Sequence, residues 1–155
     1  MALDPSAKRI NIKRSLKKYF VDNIELAQSI TVTFDKSLSA PKVQGTTITN
    51  WVAIRIGSMA KGSESELQVD LYCCSRRDPE GKVLSEVVDK VTQYLSDTTK
   101  TDTMARIPFY DTSALPWTSI GSFVITDVID SEEMEAPDET KFVVLSCLLK
   151  WSAKV

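Results

Sequence analysis

The chain contains no histidine, and this one absence removes more chemistry than any motif present could supply. Histidine is the commonest general base near neutral pH, the commonest proton shuttle and the usual nitrogen ligand of zinc. Ser-His-Asp and Cys-His arrangements, HExxH metalloprotease sites and histidine pH switches are therefore excluded. Cysteine is scarce: Cys73, Cys74 and Cys147 are the only three. They make no CxxC pair, and a bond between the neighbours Cys73 and Cys74 would close a strained eight-membered ring. Each lies in an apolar stretch, the setting of a buried, reduced thiol in a cytosolic protein. Five glycines and six prolines are too few for a collagen-like or low-complexity chain. GxGxxG, GxxxxGK[ST] and GxSxG are all missing, and Gly81-Lys82 has neither the upstream glycine nor the following Ser or Thr of a phosphate-binding loop. No apolar run approaches the roughly 20 residues of a membrane span, and Met1-Ala-Leu-Asp-Pro opens no signal-peptide core. These absences predict a protein made and used without crossing a membrane, with no cofactor, no metal and no catalytic residue.

What is present is 155 residues, 43% of them apolar and 26% charged, which suits one globular domain spanning 1–155. Nineteen Lys and Arg against 21 Asp and Glu give a net charge of −2, so the global basic excess of a nucleic-acid binder is lacking. The charge is nevertheless segregated. Lys8, Arg9, Lys13, Arg14, Lys17 and Lys18 face only Asp4 in the first twenty residues, whereas Asp130, Glu132, Glu133, Glu135, Asp138 and Glu139 crowd one late loop. Two readings stand: two solvated faces, whose exposed ion pairs count for little, or complementary patches that steer assembly and fix its register. A phosphate-binding helix lacks interleaved aromatics.

Asp4 before Pro5 reads as a helix start, and Ile12, Leu16, Tyr19 or Phe20, Asn23 and Ala27 recur at helical spacing up to about Ser29. Ile30, Val32 and Phe34 alternate with threonines as a short strand, and 35–47 follows as a long loop. The stretch 48–57 reads as a strand with Val52, Ile54 and Ile56 on one face and Trp51, Ala53 and Arg55 on the other. Leu67, Val69, Leu71 and Cys73 alternate with Gln68, Asp70, Tyr72 and Cys74, which predicts a hairpin with the strand before. Asp78-Pro79-Glu80 begins a second helix with a stripe of Val83, Leu84, Val87, Val88, Val91, Tyr94 and Leu95. Arg106 to Tyr110 carries Pro108 and suits an edge strand. Long strands over 120–129 and 141–152 flank an acidic loop.

The predicted fold class is α+β: a two-layer domain with a mainly antiparallel sheet of about four to six strands and two amphipathic helices on one face. The uncovered face should be polar, yet Trp51, Ala53, Phe123, Ile125, Ile129, Phe142, Val144 and Leu148 fall on the parity opposite to an equally apolar set. Such a face calls for a cover, either another subunit or the loops 35–47 and 97–118 folding back with Leu38, Val43, Phe109, Leu115 and Trp117. The predicted subunit contacts are Trp51, Phe123, Ile125, Phe142, Val144 and Leu148, supported by Lys13, Arg14, Lys17 and Lys18 on the basic helix and Glu132, Glu133 and Glu135 in the acidic loop. Asp70, Asp78, Asp111, Asp127 and Asp130 are available for carboxylate chemistry, but nothing selects a pair.

The amphipathic opening helix, the early strands around Phe34 and Trp51, the Leu67-Gln-Val-Asp-Leu-Tyr strand leading through Arg76-Arg-Asp-Pro-Glu-Gly into a helix, and the closing pair of strands ending in Leu149-Lys-Trp resemble the tail terminator, or tail-completion, proteins of long-tailed bacteriophages. The likeness runs over nearly the whole chain in element order. It implies a non-catalytic virion protein, assembled in the host cytoplasm and placed at the head-proximal end of the tail. Such a protein caps the tail tube as a ring, a homohexamer in that family, stops tube polymerisation and offers the surface that meets the head-neck connector protein. Its expected partners are copies of itself, the tail tube protein and the connector, with DNA passing through the lumen without specific binding and no membrane. Loops 35–47, 58–65 and 130–139 are the expected tube- and connector-facing ends. Another neck, head-closure or minor tail protein, or a non-phage cytosolic oligomer binding a small molecule between subunits, are the alternatives.

Overall fold

A computed structural model describes residues 8–34, 42–43, 46–60, 64–95 and 106–152. The first helix, α1, spans Arg9–Phe20 and runs into a π-helical turn over Val21–Leu26. Its start at Asp4 and Pro5 lies outside the described residues. Ser29, at φ 58, leaves the helix in the left-handed conformation that commonly ends one. Ile12, Leu16, Phe20 and Ile24 form the buried stripe. Asn23 is only partly buried and Ala27 is exposed, so the stripe stops a turn earlier than its spacing suggests.

Strands β1 (Thr31–Phe34), β2 (Lys42–Val43), β3 (Thr46–Thr47), β4 (Asn50–Ala60) and β5 (Glu64–Ser75) come next, then helix α2 (Lys82–Thr92) and strands β6 (Arg106–Asp111), β7 (Thr118–Asp130), β8 (Met134–Glu135) and β9 (Lys141–Ser152). The main sheet has the order β1-β4-β5-β9-β7-β6, with β8 paired to the start of β9. Only β1 to β4 is parallel; every other pairing is antiparallel. The sheet is curled. The fold is thus α+β, as the alternation of helical and two-residue periods predicts, and the expected β4–β5 hairpin forms. Within the expected 35–47 loop, β2 and β3 make a two-stranded hairpin of their own.

Both helices cover one face of the sheet. α1 lies against β6, whereas α2 spans β4, β5 and β9. Between the layers sit Ile12, Leu16, Phe20, Val52, Ile54, Leu67, Val69, Leu71, Leu84, Val87, Val91, Leu145 and Leu149. A ring stack reinforces this core on the β6–β7 side, with Phe109 and Phe123 at 4.5 Å and the edge of Trp151 at 5.2 Å from Phe123. The ends of the two helices are tied together, since the Tyr19 hydroxyl donates to the carbonyl of Tyr94 at 2.7 Å.

Candidate functional site

The proposed contact residues divide between the two sides of the sheet. Phe123 is fully buried and Ile125 nearly so, and both belong to the helix-side core rather than the outer face. The cause is a register shift between Ile125 and Asp127: Ile125 pairs with Leu149 and Val128 with Cys147, both on the helix side, so Ile129 falls on the outer side opposite Ser146. Thr126 is the extra residue of this bulge, and its hydroxyl bonds the Leu148 carbonyl at 3.3 Å. Parity counted through β7 therefore assigns Phe123 and Ile125 to the wrong face, and neither is available to another subunit.

Trp51 does lie on the outer face, but it too is fully buried, in a small cluster with Ala53 and Cys74 against which Ile48, Tyr72 and Phe142 pack. That end of the outer face is closed within the subunit. Among the described residues, neither the Trp51 indole N–H nor the adjacent Thr33 hydroxyl finds a hydrogen-bond partner. Beyond the cluster the face opens. Phe142, Val144 and Leu148 on β9 are half-buried, and Ile129 on β7 is 66% exposed. Tyr72 pairs with Val144 and leans on Phe142, while the Arg55 guanidinium stacks over the Tyr72 ring at 5.2 Å. Of the loop residues expected as covers, Phe109 is in the helix-side core, Leu115 is 86% exposed and Trp117 rests on Tyr110. Leu38 lies outside the described residues, as does the environment of the Val43 side chain.

The basic face of α1 is solvent-exposed at Lys8, Arg9, Lys13, Arg14, Lys17 and Lys18. Lys18 pairs with Asp22 at 2.8 Å, Lys17 sits over the Phe34 ring, and Arg14 bonds the Thr112 carbonyl at 3.3 Å. The flank of α1 beside Arg14 and Lys18 carries two polar residues that the sequence pattern does not single out. Asn11 and Ser15 are buried beside Ile12 and Leu16. The Asn11 Oδ1 accepts the Thr112 N–H and hydroxyl, and the Ser15 Oγ accepts the Tyr110 N–H. They therefore seal the outer edge of β6. Buried Asn and Ser one turn apart on an apolar stripe were the signal, because such groups need partners.

The acidic stretch folds as an arm between β7 and β9. Glu132, Glu135 and Glu139 are exposed. Glu133 is partly engaged within the chain: it lies 3.7 Å from the Lys141 ammonium, and its carboxylate stands against Gly81 at the N-terminus of α2. Arg76, Arg77, Asp78, Pro79 and Lys141 join Glu135, Asp138 and Glu139 around a cleft of about 310 Å³. Arg76 and Arg77 thus border the arm, a neighbourhood that only the fold reveals. The expected tube- and connector-facing loops are described only in part, since 35–41, 44–45 and 61–63 lie outside the described residues.

A second cleft, of about 260 Å³, separates α1 from β6 beside Ser15, Lys18, Asp22 and Arg106. All three thiols are free and buried. Burial pushes Cys74 and Cys147 up to about 12, and Cys73 higher still, which keeps the nucleophilic thiolate from forming near neutral pH. Asp78, one of the carboxylates open to chemistry from sequence, instead caps α2: its Oδ2 accepts the Leu84 N–H at 2.9 Å and the Ser75 hydroxyl at 3.1 Å. Among the described residues, no three His, Cys, Asp or Glu side chains converge as metal ligands, and no helix is long and apolar enough to cross a membrane.

No protein-family model matches this chain, and neither does any curated protein. Solved structures do match it. One of them, from a protein bearing no functional name, superposes with a TM-score of 0.62 over 96% of this chain and 97% of its own, at 6% sequence identity. At that identity the likeness establishes a shared fold.

Proposed function

We propose that this chain is a structural virion protein of the tail-terminator kind, acting as an oligomeric ring that caps a phage tail tube, stops its polymerisation and presents the surface that joins the head-neck connector. The observation that carries the reading is the open half of the sheet's outer face. Half-buried Phe142, Val144 and Leu148 and exposed Ile129 make an apolar strip on long strands, and among the described residues no helix lies over it. Exposed apolar strips rimmed by charge fit protein contacts better than small-molecule chemistry. The segregated charge of α1 and the acidic arm supports the same reading, as does the sequence resemblance in element order. DNA would pass through the lumen without specific contacts, in keeping with a net charge of −2.

The test is a mixing assay with the tail tube protein of a long-tailed phage. Under this reading, added protein lowers the final length of polymerising tubes in proportion to its concentration and appears at one tube end in negative-stain images. A head-closure or minor tail protein would bind connector and leave tube length unchanged. A small-molecule binding oligomer would do neither and would instead show a saturable ligand.

A further inference from the structure

We infer that the basic face of α1 docks on the acidic β7–β9 arm of a second copy, so that subunits join head to tail. The inference rests on the ring reading and names the surfaces that meet. Its starting point is where β6 holds α1. Asn11 bonds Thr112 and Ser15 bonds Tyr110, while β6 pairs along β7 from Asp111 with Thr118 to Arg106 with Val124. Helix α1 therefore lies beside the first half of β7, whereas the acidic arm begins at its far end, Asp130. At roughly 3.3 Å per strand residue, the arm starts roughly 20 Å beyond Val124 and roughly 40 Å beyond Thr118.

Those separations exceed the Debye length of about 8 Å at physiological ionic strength, so the two patches of one chain do not neutralise each other. Each finds its complement on a neighbour. Joined head to tail through this contact, every open chain of subunits ends in one unmatched basic helix and one unmatched arm, and closure into a ring satisfies both. The groups free to reach across differ along the arm. Glu133 is held by Lys141 and stands at Gly81, so the exposed Glu132 and Glu135 form the contact. Arg76, Arg77 and Lys141 beside the arm offset part of its charge. The contact is accordingly of the rim type, governing encounter rate and register, while the apolar strip supplies most of the affinity.

Two full-length charge-reversal variants test this, Lys13→Glu/Lys17→Glu and Glu132→Lys/Glu135→Lys, with assembly followed by sedimentation velocity at low and high salt. Each variant alone should need about tenfold more protein to assemble at low ionic strength, with the difference shrinking towards twofold in 0.5 M salt. An equimolar mixture should recover wild-type assembly, because each helix then meets an arm of opposite sign. All changed side chains are exposed, so melting temperatures serve as the control for folding. If wild-type protein forms rings but both variants match it, or the mixture stays dissociated, the head-to-tail contact is refuted and the ring survives. If wild-type protein forms no ring, alone or with tube protein, the ring reading itself falls and the inference falls with it.

Discussion

Replacing Asp78 should unsettle the junction between β5 and α2 more than any other single carboxylate substitution. Helix α2 begins at Lys82, behind Gly81 in the left-handed conformation, so Gly81 supplies no side-chain cap. The first-turn N–H groups are served instead by Asp78, whose Oδ2 accepts from Leu84 at 2.9 Å and also holds the Ser75 hydroxyl. Burial by itself would raise the pKa of this carboxyl. The bonds donated by the Leu84, Val83 and Lys82 N–H groups and by Ser75 outweigh it and hold the value below the usual carboxylate range. Removing an N-terminal cap costs about 0.5–2 kcal/mol, and Asp78→Ala also leaves a buried Ser75 hydroxyl unpartnered. A loss of about 2 kcal/mol is therefore expected. For a domain of this size that lowers Tm by roughly 4–8 °C. Asp78→Asn retains an acceptor oxygen and loses the charge, so it should cost about half as much.

The sign of the pH dependence follows. A carboxyl whose folded pKa is depressed contributes stability that is fully present above its unfolded pKa, about 3.9, and is lost as pH falls through the folded value. Thermal melts by circular dichroism should show a constant gap between wild type and Asp78→Asn from pH 5 to pH 8, closing below about pH 4. A Tm change under 1 °C for Asp78→Ala, or a gap that persists unchanged at pH 3, would refute the capping argument.

Asn11→Ala and Ser15→Ala should each cost about 1–3 kcal/mol, because they orphan N–H groups on the β6 edge, and the double variant should scatter light on standing as that edge becomes available for strand pairing. Phe123→Ala should cost about 3–5 kcal/mol, since the ring is fully buried and stacked on Phe109. Leu148→Ala, on the open outer face, should lower Tm by clearly less than Phe123→Ala yet weaken assembly, and equal melting losses for the two would undo the division between faces. A thiol reagent at pH 8 should label none of Cys73, Cys74 and Cys147 in native protein within minutes and all three in denaturant, because burial suppresses each thiolate; rapid native labelling of one would contradict its burial.

Some of this architecture is legible in the residues themselves, for identifiable reasons. β5 alternates cleanly because one face packs under α2 and the other carries Gln68, Asp70 and Tyr72, so its period of two survives in the sequence. α2 shows its buried Leu84, Val87, Val91 and Leu95 for the same reason at a period of 3.6. Pro108 marked β6 as an edge, where it stands. β7 is ambiguous in sequence because apolar residues occur on both parities and the Thr126 bulge inverts the faces midway, with no sequence mark of its own. The parallel pairing of β1 with β4 depends on how the chain crosses over, which no local pattern encodes. The same limit applies to the site: the charge patches were plain, but the distance between them, and the presence of Arg76 and Arg77 beside the arm, are properties of the assembled sheet.

The sealed edge narrows how copies of this domain can meet. On β6 the outward N–H groups of Tyr110 and Thr112 are already bound to Ser15 and Asn11, and Pro108, two residues before Tyr110 on the same outward parity, has none to offer. A neighbouring strand approaching over 108–112 finds no donors, so backbone pairing cannot continue the sheet along that stretch of the edge. Backbone pairing tolerates register slips of whole residue pairs, a hazard for the proposed ring. The proposed side-chain contacts would not slip in that way, because an apolar strip on β9 and charges fixed on α1 and the arm would match in one register only. Under the proposed docking the α1–β6 seal and the charge segregation act together: one withdraws a permissive mode of association, and the other favours a specific one.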